Sequence, residues 1–347
     1  MRIATYNVEW FNALFADDGR PLLDDGPSAR YKTTRGAQLR ALGLVFQTMD
    51  ADGVMIIEGP DTTVRRSTTR ALEQFAAQFG LRARRAVTGF ASGTEQEIAF
   101  LYDPDRLTAR HDPQGVAEST LTPLAAPRFD GVFRFDLDQD GMPEGMTFSK
   151  PPLELAVTTL AGHALRLIGV HAKSKNPHGA KSPADAVRVS IANRHKQLAQ
   201  CVWLRRRVEA HLAAGDDLIV AGDFNDGPGL DEYERQFGRS GVEIVLGEAG
   251  ATGGTMYDPH ASMALIRRLG VMPTTARFYL APQKRFFESL LDFIMVSPGL
   301  AKRQPAPDWR IWHPLNDPEC FARADLRDAL LTASDHFPVT LDLAGLG

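Results

Sequence analysis

The chain has 347 residues, enough for one large domain or two, and its 44% hydrophobic and 24% charged residues are ordinary for a globular protein. A net charge of −4 excludes a protein coated in positive charge for tight nucleic-acid binding. Local basic clusters exist at Arg65-Arg66, Arg82/Arg84/Arg85, Arg205-Arg206-Arg207 and Arg267-Arg268, and each reads most simply as a solvated face. Cys201 and Cys320 are too few for a disulfide framework, and Cys201 among Leu198, Val202 and Leu204 reads as a buried thiol. No run reaches membrane-spanning length or forms a signal-peptide core, so a cytoplasmic protein is expected.

In chain order, Ile3 to Val8 reads as a strand. The 3-4-3 spacing of Leu39, Leu42, Phe46 and Met49 predicts a helix from Thr34 to Met49, capped by Thr33 or Thr34. Val54 to Ile57 is a short buried strand, and Leu72, Phe75, Ala76 and Phe79 mark a second helix closed by Gly80. Leu81 to Val87 and Ile98 to Tyr102 read as strands, and residues 111–150 as an irregular insertion. Leu153 to Leu160 and Leu165 to His171 form a hairpin around Ala161-Gly162-His163. A long helix from Ile191 to Leu212 ends at Gly215, before a strand from Leu218 to Ala221. Residues 226–285 read as long loops with short helices, ahead of strands at Leu290 to Val296 and Phe337 to Leu343. Strands occur both as hairpin pairs and separated by helices, which predicts one mixed α/β domain over residues 1–347.

Polar residues collect at the strand ends. In DDLIVAGDFND, Gly222 permits a turn, and Asp223 and Asn225 at i, i+2 share one face of extended chain. They suit either a turn cap or a site for metal-bound phosphate. Asn7 follows the first strand, Glu58 the second, and His171 ends the hairpin strand. Asp292 lies within the apolar run LLDFIMV, where a carboxylate is costly unless paired, and a histidinium is the least costly partner. Asp335-His336 precede the last strand.

With these residues in view, the chain resembles the endonuclease/exonuclease/phosphatase superfamily, as a deoxyribonuclease-like, bacterial-type member. The matching motifs are TYNVEW (5–10), MIIEGP (55–60), GVHAKSK (169–175), GDFN (222–225), LDFIMVS (291–297) and SDHFPV (334–339), in the family's order. The resemblance implies a four-layer αββα sandwich, two packed mixed β-sheets flanked by helices. It implies a Mg²⁺ or Mn²⁺ site from Asn7, Glu58 and Asp335, with Glu58 the principal ligand. It makes His336 the general base, held by Asp292, and Asp223 the residue that orients the attacking water. Asn225 and His171 would bind phosphoryl oxygens, His171 also serving as a proton donor to the leaving oxygen. Lys173, two residues after His171, reads either as a further phosphate contact on the same side or as a solvated lysine, with Arg194 and Gln197 weaker phosphate-side candidates. Glu95, Gln96 and Glu97 compete to orient His171.

The resemblance also carries departures. Ile57 stands where the family commonly has Gln. His171 replaces the Tyr of AP endonucleases, and Asp226-Gly227-Pro228 follows GDFN. The expected activity is therefore metal-dependent hydrolysis of phosphoric esters by in-line attack of water, by a nuclease or other phosphodiesterase. The alternatives are a phosphomonoesterase on a small or lipid-linked phosphate, and an inactive binding module. If nucleic acid is the substrate, Trp10, Tyr257, Phe278, Tyr279, Phe286 and Phe287 are loop aromatics available for stacking, although core positions are the simpler reading for most. In the insertion, Asp136, Asp138, Asp140 and Gly141 open an EF-hand-like loop without its closing Glu; the expectation is either structural Ca²⁺ or a plain turn. No protein partner is inferable.

Overall fold

The computed structural model describes residues 1–116, 126–136, 141–177, 179–228, 238–248, 254–266, 272–280 and 283–346. Two large mixed sheets stack face to face. Sheet I runs β14 (Asp308–Ile311), β15 (Val339–Asp342), β1 (Arg2–Asn7), β2 (Gly53–Gly59), β4 (Glu97–Tyr102), β3 (Arg85–Thr88). Sheet II runs β13 (Asp292–Val296), β10 (Leu218–Asp223), β9 (Ala164–His171), β8 (Leu153–Thr159), β5 (Leu107–His111). Each sheet has one parallel pair at its centre, β1 with β2 and β9 with β10, and antiparallel pairs elsewhere.

Alternate residues of the central strands enter different cores, so these strands are apolar on both faces. Met55 and Ile57 of β2 face Leu155, Leu167, Ile219 and Ile294 between the sheets. Val54 and Ile56 point outward, under helices α1 (Arg35–Met49), α2 (Thr68–Phe79) and Ala324–Ala333. Beneath sheet II, Ile168, Val220 and Phe293 pack on Leu198, Trp203 and Leu204 of α3 (Pro183–Ala214) and on Val242 and Val245 of α4 (Gly241–Leu246). Three cores between four layers make the expected αββα sandwich. Ile57 is fully buried between the sheets, which accounts for an apolar residue ahead of Glu58.

Several boundaries differ from expectation for physical reasons. α3 starts at Pro183, capped by the Ser182 side chain, well before Ile191. Its first turns are polar and exposed, so no apolar period marks them. The insertion holds a ribbon of β6 (Phe133–Phe135) and β7 (Glu144–Met146), and Phe129, Phe133 and Phe148 pack around Trp203. Within the expected long loops lies β11 (Ala276–Leu280), which forms a second ribbon with β12 (Arg285–Ser289) just past their end. Asp138 and Asp140 of the EF-hand-like loop lie outside the described residues; Asp136 accepts a hydrogen bond from the Gly141 N–H at 2.9 Å, as in a turn. Arg267-Arg268 also lie outside them.

The basic clusters are spent on structure. Arg66 pairs with Asp61, Arg82 with Asp50, Asp52 and Asp103, and Arg205 and Arg207 donate to backbone carbonyls at 2.6–3.2 Å. Both cysteines are buried and unpaired. No helix among the described residues is long and apolar enough to cross a membrane.

Register sets one end of the sandwich apart. Asn7 lies opposite Ile57, Asp223 lies between His171 and Asp292, and β15 runs antiparallel to β1 with Val339 opposite Thr5. The strand ends carrying Asn7, Glu58, His171, Asp223, Asp292 and Asp335-His336 therefore meet at one edge. Gly222 permits this approach: its φ is +148°, and a Cβ there would sit 2.0 Å from the Val170 carbonyl oxygen. Gly222→Ala is expected to destabilise the fold by about 2–3 kcal/mol, through backbone strain and overpacking, measured as a lower urea midpoint at unchanged m-value.

Candidate active site

Asp223 occupies the middle of this edge and is buried. Its Oδ2 accepts from Asn7 Nδ2 at 3.1 Å and Asn225 Nδ2 at 3.2 Å, and its Oδ1 from the Asn225 backbone N–H at 2.7 Å. The Nε2 atoms of His171 and His336 stand 3.8 and 4.0 Å from Oδ2, so the carboxylate lies between two imidazoles. Burial pushes the Asp223 carboxyl up to about 7, opposed by His336 and reinforced by Asp292.

The two histidines are held in opposite states. His336 Nδ1 is 2.7 Å from Asp292 Oδ2. Burial alone would lower an imidazolium, but Asp292, Asp223 and Asp335 hold His336 well above the ordinary histidine value. Thr275 Oγ1 accepts from the Asp292 N–H at 3.0 Å, and Ser334 Oγ accepts from the His336 N–H at 3.0 Å while donating to the Asn7 carbonyl at 2.7 Å. His171 is held well below the ordinary value by burial, with Lys150, His336 and Lys173 adding to the effect. Lys150 Nζ is 3.2 Å from His171 Nε2. Glu95 instead accepts from Asn12 Nδ2 and Glu97 from the Ser92 N–H, and among the described residues neither of them nor Gln96 hydrogen-bonds to His171.

Two further carboxylates face this centre. Glu58 Oε1 lies 3.9 Å from His171 Nε2 and 3.5 Å from Asn7 Nδ2, and Oε2 accepts from the Trp10 N–H at 3.0 Å. Asp335 Oδ1 is 4.0 Å from His336 Nε2. Burial raises the Asp335 carboxyl, His336 and Arg30 oppose that, and Glu58 adds to it. Asn7 turns its amide nitrogen toward Glu58 and Asp223, while its Oδ1 accepts from the Glu9 N–H at 3.1 Å. Partly buried carboxylates with mutual repulsion and hard oxygen donors fit a divalent ion such as Mg²⁺ or Mn²⁺. Asp223, Asp292 and His336 also bring one ligand atom each within 4.8 Å of one another. Those three form a hydrogen-bonded imidazole between carboxylates, with Nδ1 already engaged by Asp292, so Glu58 and Asp335 suit an ion better.

Several residues escaped sequence reasoning. Glu9 lies inside TYNVEW; its Oε2 accepts from the Asp335 N–H at 2.8 Å and pairs with Arg30, and burial together with Asp335 pushes its carboxyl up to about 7. Glu9, Trp10, Glu58 and Asn225 all have positive φ, strain concentrated at one edge. Lys150 is the least legible, since nothing in TFSKPP marks it. Arg194 and Gln197 were expected as weak phosphate contacts. They are instead buried supports: Arg194 Nη1 lies 2.5 Å from Asp226 Oδ2, and Gln197 Nε2 donates to the Phe224 and Asn225 carbonyls. Lys175 Nζ completes this clamp, 2.9 Å from Asp226 Oδ1. Lys173 is half-buried, and its N–H donates to Gln200 Oε1 at 2.9 Å.

The chain matches the Endonuclease/Exonuclease/phosphatase family over residues 4–336. It belongs to that family, a group of metal-dependent phosphoesterases and nucleases. Among solved structures, TDP2 from Caenorhabditis elegans superposes with a TM-score of 0.50 at 13% identity, covering 98% of this chain and 73% of that one. An endonuclease/exonuclease/phosphatase family protein from Bacteroides thetaiotaomicron gives 0.49 at 14% identity, over 100% and 97%. At 13% identity the likeness to TDP2 shows the fold alone. No curated protein matches the chain in sequence.

Arg194→Leu strips the buried Asp226 of one partner and leaves Lys175 and the Gly241 N–H. The expected loss is about 3 kcal/mol of stability by urea denaturation, accompanied by lower turnover as the Asn225 loop loosens.

Proposed function

We propose that this protein is a divalent-metal-dependent phosphodiesterase. The observation carrying the reading is the buried pair of imidazoles around Asp223, flanked by Glu58 and Asp335. Glu58 and Asp335 would hold the ion, with Asn7 orienting Glu58. When bound, the ion supplies positive charge to a phosphoryl oxygen and acidity to a nearby water.

The chain's own residues do the rest. The Asp292 carboxylate fixes the His336 ring and stabilises its positive charge, as a general base requires once it has taken a proton from water. Asp223, 4.0 Å from His336 Nε2, orients that water. Across the centre, neutral His171 and its neighbour Lys150 face the developing negative charge on the phosphoryl and leaving oxygens. Asn225 directs its amide nitrogen at Asp223 and the Ala172 carbonyl, so its first service is to fix Asp223, and it reaches a phosphoryl oxygen by exchanging one of those bonds. Lys173 supports the same side.

Hydrolysis of bis-p-nitrophenyl phosphate is expected with Mg²⁺ or Mn²⁺ and is expected to stop with EDTA. His336→Ala should lower kcat by about 10²–10⁴. Asp292→Asn should lower kcat with the metal requirement nearly unchanged, whereas Glu58→Gln should raise the half-saturating metal concentration at least about tenfold. Turnover undiminished in His336→Ala, or a metal response unchanged in Glu58→Gln, would refute these assignments.

A further inference from the structure

Lys150 is fixed in the chain on both sides. Before it, Phe148 is buried against Phe129 and Trp203. The Ser149 carbonyl accepts from the Gly93 N–H at 2.7 Å and from Ser92 Oγ at 3.2 Å. After it come Pro151 and Pro152, and a residue ahead of proline is held to extended backbone. Gln200 of α3 donates to the Thr147 carbonyl at 3.4 Å and accepts from the Lys173 N–H at 2.9 Å, which ties this segment to the chain just past His171. The ammonium is thereby delivered to one atom: Lys150 Nζ stands 3.2 Å from His171 Nε2.

That contact decides what His171 can do. An ammonium donates and never accepts, so Nε2 offers its lone pair to Lys150 and the ring proton sits on Nδ1. His171 Nδ1 is buried with no hydrogen-bond partner among the described residues, so no carboxylate there holds the ring as an imidazolium. Asp223 Oδ2 and Glu58 Oε1 stand 3.8 and 3.9 Å from Nε2, beyond hydrogen-bond distance. A ring in this state has no proton to give at the atom that faces Asp223, whereas Lys150 does. Burial lowers Lys150 from the ordinary lysine value, with Glu58 and Asp223 opposing and Lys173 adding to the effect. That direction makes a lysine a better proton donor near neutral pH.

We propose that Lys150, rather than His171, is the general acid of this centre and protonates the leaving oxygen. This rests on the phosphodiesterase reading and assigns its second proton transfer. In-line displacement sets the attacking and leaving oxygens on opposite sides of phosphorus. Water activated at His336 attacks from that side of Asp223, so the leaving oxygen emerges on the side of His171 and Lys150. As the water oxygen bonds to phosphorus, one of its protons passes to His336 Nε2. The bond from phosphorus to the leaving oxygen breaks with its electron pair on that oxygen, and a proton from Lys150 Nζ completes the alcohol. Lys150 is left as a neutral amine and takes a proton from solvent, while His336 returns one, so the cycle closes without net change on the protein. His171 keeps its lone pair on Lys150 throughout and aims the ammonium.

The test compares diphenyl phosphate with bis-p-nitrophenyl phosphate in Mn²⁺, since p-nitrophenolate leaves without a proton and phenolate leaves far less readily. Lys150→Gln should lower kcat on both, and by at least about tenfold more on diphenyl phosphate. Lys150→Arg keeps the positive charge but gives up no proton at working pH. It should recover most of the loss on the nitrophenyl ester and little of the loss on diphenyl phosphate. Both substrates are read on one preparation, so partial misfolding lowers both alike and leaves their ratio. Equal losses on the two esters in Lys150→Gln, or recovery of both in Lys150→Arg, would overturn the assignment. So would a leaving-group-selective loss that appears in His171→Asn and is absent from Lys150→Gln. A wild-type chain that cleaves neither diester with Mg²⁺ or Mn²⁺ would instead refute the phosphodiesterase reading.

Discussion

A single buried carboxylate, Asp223, holds this structure's chemistry together. It ends β10 of sheet II, yet one of its partners is Asn7 at the end of β1 in sheet I. An anion buried at the meeting of two sheets is tolerable only if hydrogen-bonded and faced by positive charge. The amides of Asn7 and Asn225 meet the first condition and His336 the second. Because these partners come from distant parts of the chain, satisfying Asp223 aligns both sheet edges. The left-handed backbone at Glu9, Trp10, Glu58 and Asn225 lies beside this alignment, where surrounding structure can hold conformations that would relax elsewhere.

The two imidazoles beside Asp223 differ because their neighbours differ. His336 faces three carboxylates and is held positive; His171 faces Lys150 and burial and is held neutral. Glu58 lies beside His171 and Asp335 beside His336, and an ion held by those two carboxylates would supply positive charge between the rings. Around the centre, Thr275, Ser334, Arg194 and Gln197 hold backbone and side chains in place.

Much of this was legible in the sequence, where short buried strands end in polar residues. Asn7, Glu58, His171, Asp223, Asp292 and His336 could be found because a charged or polar residue at the end of an apolar run needs an explanation. The need of Asp292 for a histidine partner was readable from burial cost alone, and the 2.7 Å contact meets it. Lys150 carried no such mark: it ends the insertion and approaches His171 only in three dimensions. The β11–β12 ribbon was read as loop because RFYL and RFFES carry aromatics on both faces, which hides the two-residue period, and no Asn-Gly or Asp-Gly turn separates them. Arg194 was misread because a helix presumed to cover a sheet gives no sign that one arginine is buried against Asp226, next to Asn225.

In the proposed mechanism Glu58 and Asp335 would hold the ion, leaving Asp223 and the two imidazoles to serve water and phosphate. Anomalous diffraction from crystals soaked in Mn²⁺ tests this directly. The expected result is a peak coordinated by the carboxylates of Glu58 and Asp335, with His336 still on Asp292. A peak ligated by Asp223, Asp292 and His336 instead, or none at the catalytic edge, would contradict it.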